Sequence, residues 1–167
     1  MKLRRVTVDD AEDLTATVSA CFESFRSWAG PGWSPPETGF ELWRYREGLL
    51  RPSLWGLVGV DEGEIAGHVT FLQARERSEA QPEIPGQAHL WQLFVRPPWW
   101  GSGLATRLNR LAVEEAACQG YGSMRLFTPA GNARARAFYE REGWGTDGVA
   151  VYEAMLGLEI VQYRRVL

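Results

Sequence analysis

The segment Val95-Arg96-Pro97-Pro98-Trp99-Trp100-Gly101-Ser102-Gly103-Leu104-Ala105 constrains the fold more than any other stretch of this chain. It follows a strand-like run from His89 to Val95. It opens a run in which Leu104, Leu108, Leu111, Ala112 and Ala116 recur at helical spacing. Two prolines end the strand, because neither can donate to a sheet ladder. Gly101 and Gly103 permit the tight backbone of a strand-to-helix turn. Such a turn converges several N–H groups on one point, at the positive end of the helix dipole. That geometry makes an anion site with a pyrophosphate as its natural guest. On this segment alone, a glycine-rich joint between strand and helix reads equally well.

Two familiar phosphate loops drop out. No Lys-Ser/Thr pair follows the glycines, so a Walker-type loop is excluded. A dinucleotide fingerprint needs its third glycine where Thr106 stands, and Glu114 and Glu115 lie inside the helix rather than at a strand end.

The remaining elements follow from periodicity and breakers. Leu3 to Thr7 reads as a strand, and Asp9 or Asp10 caps a helix running to about Trp28. Gly30-Pro31-Gly32 and Pro35-Pro36 break the chain. A second helix starts near Thr38, which forms a capping-box pattern with Glu41, and ends at about Leu50. Leu54 to Val60 and Glu64 to Ala74 are strand-like, joined at the hairpin signal Asp61-Glu62-Gly63. Residues 75–86 read as a loop. Gly120 closes the helix that begins at Leu104, and Met124 to Thr128 is a short strand. Asn132 caps a helix from Ala133 to about Glu142, closed by Gly143, before strands at Val149 to Tyr152 and Leu158 to Val166. The order β-α-α-β-β-β-α-β-α-β-β predicts an α/β chain with a mixed sheet flanked by helices. No linker divides it, so residues 1–167 are expected to form one domain.

With 167 residues, such a domain buries roughly 70% of the surface its unfolded chain exposes. The net charge of −3 argues against a nucleic-acid partner. No apolar stretch approaches the roughly 20 residues of a membrane span. The run Val6-Thr7-Val8-Asp9-Asp10-Ala11-Glu12-Asp13 places four acids where a signal peptide would be apolar, so a cytoplasmic location is expected. Cys21 and Cys118 lie far apart without His or Cys at ligand spacing, which predicts free thiols and no metal.

A second segment, Asn132-Ala133-Arg134-Ala135-Arg136-Ala137-Phe138-Tyr139-Glu140-Arg141-Glu142-Gly143-Trp144, sharpens the reading. With the glycine segment it resembles the GNAT superfamily of acetyl-CoA-dependent N-acetyltransferases. The family's loop, Gln/Arg-x-x-Gly-x-Gly/Ala, is matched by Trp100-Gly101-Ser102-Gly103-Leu104-Ala105. Its Asn-x-x-Ala-x-x-x-Tyr signature, followed by Gly and an aromatic, is matched by Asn132, Ala135, Tyr139, Gly143 and Trp144. The resemblance implies a central, mostly antiparallel mixed sheet of six to seven strands with about four helices. One departure stands out: Trp100 occupies the position of the family's Gln or Arg, removing a polar side chain while leaving the backbone cradle.

The resemblance assigns roles. The N–H groups of Trp100 to Ala105 would hold the pyrophosphate of acetyl-CoA, and Asn132 the pantetheine arm, although Asn132 equally reads as a helix cap. A backbone N–H near Leu93 to Val95, placed at Phe94 and Val95, would polarise the thioester carbonyl. Arg134 and Arg136 either reach the 3′-phosphate or stand as solvated helix arginines, with Arg136 the expected contact. Tyr139 resembles the general acid that protonates the departing thiolate. His89 is the candidate base, since its unperturbed pKa of about 6.5 suits the task. His68 is a weaker one, and Gln92 can orient water without accepting a proton. Neither cysteine has catalytic neighbours, so direct attack in a ternary complex is expected. Phe22, Phe25, Trp28, Trp33, Phe40 and Trp43 form either core or an aromatic acceptor wall. The expected acceptor is the primary amine of a small molecule, and the protein a monomer or homodimer. The competing readings are acetylation of a protein or peptide amine, and a non-catalytic acyl-CoA sensor.

Overall fold

Seven strands and four α-helices are found in the computed structural model, which describes residues 1–76 and 81–167. The strands are β1 (Lys2–Arg5), β2 (Trp55–Asp61), β3 (Glu64–Arg75), β4 (Glu83–Val95), β5 (Ser123–Pro129), β6 (Ala150–Glu153) and β7 (Leu158–Val166). The helices are α1 (Ala11–Glu23), α2 (Thr38–Leu49), α3 (Leu104–Cys118) and α4 (Ala133–Arg141). The strands form one sheet in the order β1-β2-β3-β4-β5-β7-β6. Only β4 and β5 pair in parallel; every other neighbour is antiparallel. This is the mixed, mostly antiparallel sheet with four helices that the family resemblance implies.

Each face of the sheet carries its own core. On one, Leu104, Leu108, Ala112 and Ala116 of α3 form an i, i+4 stripe that packs on Ala66, Val69, Phe71, Met124 and Leu126. On the other, Leu14, Val18 and Phe22 of α1 and Tyr45 of α2 pack with Val58 and Ile65. A bulge in β4 decides which of its side chains face which core. Thr70 pairs with Gln92 and the next residue, Phe71, with Leu90, so Trp91 is extra. Before it, Ala88 and Leu90 join the α3 core; after it, Leu93 and Val95 do, while Trp91 and Phe94 join the α1–α2 side. Gly48 of α2 is what admits the displaced indole: a Cβ there would lie 2.2 Å from Trp91 Cη2.

Three expectations are corrected. The first long helix ends at Glu23 and continues as a tighter turn over Ser24–Ser27. There Ser24 and Ser27 hydroxyls donate to the carbonyls of Cys21 and Ser24, competing with a regular helix. The box at Thr38 does not form. Glu37 is the N-cap, and Glu41 accepts from Arg44 at 2.8 Å. The reciprocal pattern occurs instead before α1, where Thr7 N–H donates to Asp10 at 2.8 Å and Arg4 binds the same carboxylate. Finally, the expected 75–86 loop is narrower: β3 runs through Arg75 and β4 begins at Glu83, while residues 77–80 lie outside the described residues. Pro85 interrupts the ladder, and Gln73 bridges the gap by donating to the carbonyls of Ile84 and Gln87. Trp33, in the α1–α2 connection, donates its indole N–H to Leu156 in the β6–β7 turn at 2.9 Å.

Candidate active site

The parallel pairing of β4 and β5 spans three residue pairs and ends at His89 with Arg125. Beyond that point the two strands part, and a cleft of about 1670 Å³ passes through the sheet. The start of α3 and the segment from Asn132 to Tyr139 line it from one side; Phe22, Phe25 and Trp28 line it from the other. The edge of β4 left free here exposes backbone. Arg96 N–H donates to Ala66 on β3, so strand alternation turns Phe94 N–H to β3 and the N–H groups of Leu93 and Val95 into the split. The Val95 carbonyl faces the same way, accepting from Trp100 Nε1 at 2.6 Å and Cys21 Sγ at 3.3 Å. Of the two expected thioester contacts, Val95 therefore presents its backbone to the cleft. Phe94 does not, and its ring packs 6.1 Å from that of Phe22.

The glycine loop alternates between closed and open donors. The N–H groups of Trp100, Ser102 and Leu104 bond to Pro97 O, Trp99 O and Ser102 Oγ. Those of Gly101, Gly103, Ala105 and Thr106 find no acceptor among the described residues, and Arg107 is the first to bond back, to Gly103. The six donors expected at Trp100 to Ala105 are thus three, joined by Thr106, which the first-turn rule for helices would have supplied. Gly101 and Gly103 hold φ of +80° and +82°, and a Cβ on either would meet nothing within 4 Å. Four free N–H groups, a helix N-terminus and open space fit a pyrophosphate.

Trp100 brings its own cation. Cζ of Arg134 lies 3.7 Å from the centre of its ring, which sets a guanidinium beside the loop. Arg136, expected at the 3′-phosphate, is elsewhere. Its Nε donates to Tyr163 Oη at 3.1 Å and its Nη1 to Ala130 O at 3.2 Å, and it does not line the cleft. Two residues along a helix turn through about 200°, so Arg134 and Arg136 must diverge. Asn132 lines the cleft while its Oδ1 caps α4 by accepting from Ala135 N–H at 3.1 Å.

Tyr139 is 8% exposed, packed among Phe138, Trp144 and Tyr163, and its edge lines the cleft. Burial raises its pKa. Its hydroxyl has no hydrogen-bond partner among the described residues. Cys21 also reaches the cleft, but burial pushes its thiol up to about 12, which leaves it neutral and a poor nucleophile.

Both histidines lose basicity. His68 is fully buried, with Nε2 3.1 Å from Gln92 Oε1, and burial lowers it to about 4. His89 lines the cleft, and burial with the neighbouring Arg125 guanidinium lowers it to about 4 as well. The pKa near 6.5 that recommended His89 as base is therefore not the one it has in the fold. Gln92, positioned by His68, does face the cleft.

The six aromatic residues divide. Phe22, Phe25 and Trp33 are core, yet Phe22 and Phe25 also border the cleft, as does Trp28 against Phe25 at 4.7 Å. Phe40 and Trp43 stack on each other at the surface, away from it. Trp91 joins the wall through the bulge, which two-residue alternation does not foresee. Among the described residues no group of three His, Cys, Asp or Glu is placed to hold a metal, and no helix is long and apolar enough to cross a membrane.

Comparison with known proteins agrees with this geometry. Residues 21–144 match the family model described as acetyltransferase (GNAT) family. The fold is similar to that of the PaiA N-acetyltransferase from Thermoplasma acidophilum in complex with coenzyme A (15% identity, 98% of each chain covered, TM-score 0.71). It is similar to a ribosomal-protein-alanine N-acetyltransferase from Brucella melitensis (20% identity, 100% of each chain covered, TM-score 0.70). An acetyltransferase of the GNAT family from Streptococcus pneumoniae also aligns (15% identity, 99% of each chain covered, TM-score 0.66). No curated protein sequence matches significantly.

Proposed function

The chain belongs to the GNAT acetyltransferase family, and from that premise we propose that it transfers the acetyl group of acetyl-CoA to a primary amine of a small molecule, by direct attack in a ternary complex. One observation carries the reading: four N–H groups without a partner among the described residues, at Gly101, Gly103, Ala105 and Thr106, border the cleft where β4 and β5 part. When bound, acetyl-CoA supplies an acyl group activated as a thioester. The loop N–H groups and Arg134 would hold its phosphates, and the Asn132 amide its pantetheine arm. The Val95 and Leu93 N–H groups are aligned to donate to a developing oxyanion.

Tyr139 is the proton donor of the proposal. A phenol whose pKa is raised by burial keeps its proton at neutral pH, ready for a leaving thiolate. The acceptor amine must arrive neutral, or lose its proton through water held at Gln92, because neither histidine is basic enough to take it near pH 7. The aromatic border of Phe22, Phe25, Trp28 and Trp91 suits an amine with an apolar body. The unpaired thiols of Cys21 and Cys118 suit a reducing compartment, and the proposal places the reaction in the cytoplasm.

The test is acetyl-CoA titration by calorimetry, followed by turnover on an amine panel with Tyr139→Phe alongside. Acetyl-CoA binding with turnover reduced about 10²- to 10⁴-fold in the variant is expected. The rate should climb towards the acceptor's own pKa without a limb near pH 6.5. Binding without any turnover, unaffected by Tyr139→Phe, would instead identify a sensor.

A further inference from the structure

At the apex of the split, Arg125 is only 9% exposed, lines the cleft and has a buried Nε with no partner among the described residues. Its Nη2 donates to the Arg75 carbonyl, and the Arg75 guanidinium is itself paired with Glu83. Directly opposite on β7 stands Arg164. Neither Arg125 nor Arg164 forms an ion pair with a carboxylate among the described residues. His89, registered beside Arg125 on β4, also has a buried Nδ1 without a partner. The Phe127 ring covers both, 5.4 Å from Arg125 Cζ and 5.7 Å from the His89 ring. Burying a guanidinium unpaired is costly, and a like charge directly across the ladder adds to the cost. A bound anion removes both penalties.

Resting on the acetyltransferase reading, we infer that Arg125 and His89 form a carboxylate-binding subsite, and that the acceptor amine carries a carboxylate far from its nitrogen. The guanidinium fork matches a planar carboxylate, and the neutral imidazole beside it adds a donor in the tautomer that carries its proton on Nδ1. The separation follows from register. His89 lies opposite Leu72 and Leu93 opposite Val69, three residues apart on β3. At about 3.3 Å per residue the subsite is about 10 Å from the Leu93 N–H. An α-amino acid cannot span that distance; a long ω-amino acid or a short peptide can.

Calorimetry with 8-aminooctanoate, octylamine and glycine tests this on the whole protein. The wild type should bind 8-aminooctanoate at least tenfold more tightly than either control. Arg125→Gln should abolish that preference and leave octylamine affinity unchanged. Arg125→Lys, which keeps the charge without the fork, should retain part of it and guards against a glutamine variant that fails to fold. Equal affinities in the wild type, absence of 8-aminooctanoate binding, or a preference that survives both substitutions would overturn the subsite. Acetyl-CoA titrated separately keeps the two readings distinct: its failure to bind would defeat the transferase while leaving a measured carboxylate preference standing.

Discussion

Two glycines at opposite ends of α3 allow the anion cradle to be separated from ordinary backbone strain. Gly103 precedes the helix with φ +82° and Gly120 follows it with φ +88°, and a Cβ on either would meet nothing within 4 Å. Gly103 lines the cleft; Gly120 does not. Alanine in the left-handed region costs about 1–2 kcal/mol at either position. For a chain of this size each kcal/mol lowers Tm by about 2–4 °C, so both variants should melt about 2–8 °C below the wild type. Only Gly103→Ala also places a methyl group where an anion must approach the free N–H groups. Losing one charge-assisted hydrogen bond there costs about 1.5–3 kcal/mol, which is roughly ten- to a hundredfold in Kd for acetyl-CoA. Differential scanning fluorimetry reads the first effect and titration calorimetry the second. If Gly103→Ala binds acetyl-CoA as well as Gly120→Ala does, the phosphates are not held at this loop. If both lose affinity equally, strain rather than the cradle is responsible.

Other outcomes follow from neighbouring features. Arg134→Ala should weaken acetyl-CoA binding several-fold, most at low ionic strength, whereas Arg136→Ala should lower Tm and leave the affinity intact; calorimetry across a salt series separates them. Stability should fall as pH drops from about 6.5 to about 4, because His68 is held at about 4 in the fold and near 6.5 in the unfolded chain, which therefore binds more protons across that window. The contribution of His68 is roughly 3 kcal/mol, fully present above pH 6.5 and lost on acidification. Urea unfolding at pH 5 and pH 7 should show a smaller difference in His68→Gln; an undiminished one would mean that the imidazole titrates normally.

Local grammar was the part of this protein open to reading. Gly103, Gly120, Asn132 and Gly143 bound α3 and α4 within a residue or so of their predicted limits, since these ends are set by caps the chain carries itself. The glycine loop was legible for the same reason. What escaped depends on neighbours distant in sequence. Trp91 becomes an extra residue because β3 pairs past it, and that reverses the facing of every later side chain in β4. The basicity of His89 is lowered first by burial and then by Arg125, which only the β4–β5 pairing brings alongside. The companion of Trp100 is fixed by helix geometry: Arg134 and Arg136 look interchangeable in a row of letters but point to different sides of α4.

Trp33 gives the split sheet a mechanical character. The strands β1 to β4 and β5 to β7 act as two plates sharing a seam of three residue pairs. α3 lies across both plates on one face, and on the other the Trp33 indole fastens the α1–α2 connection to the turn between β6 and β7. Held at the seam and again beyond it, the plates part only if the Trp33–Leu156 bond breaks along with the seam. Widening the cleft therefore carries a cost at two distant places, one of them a single indole hydrogen bond worth about 1 kcal/mol.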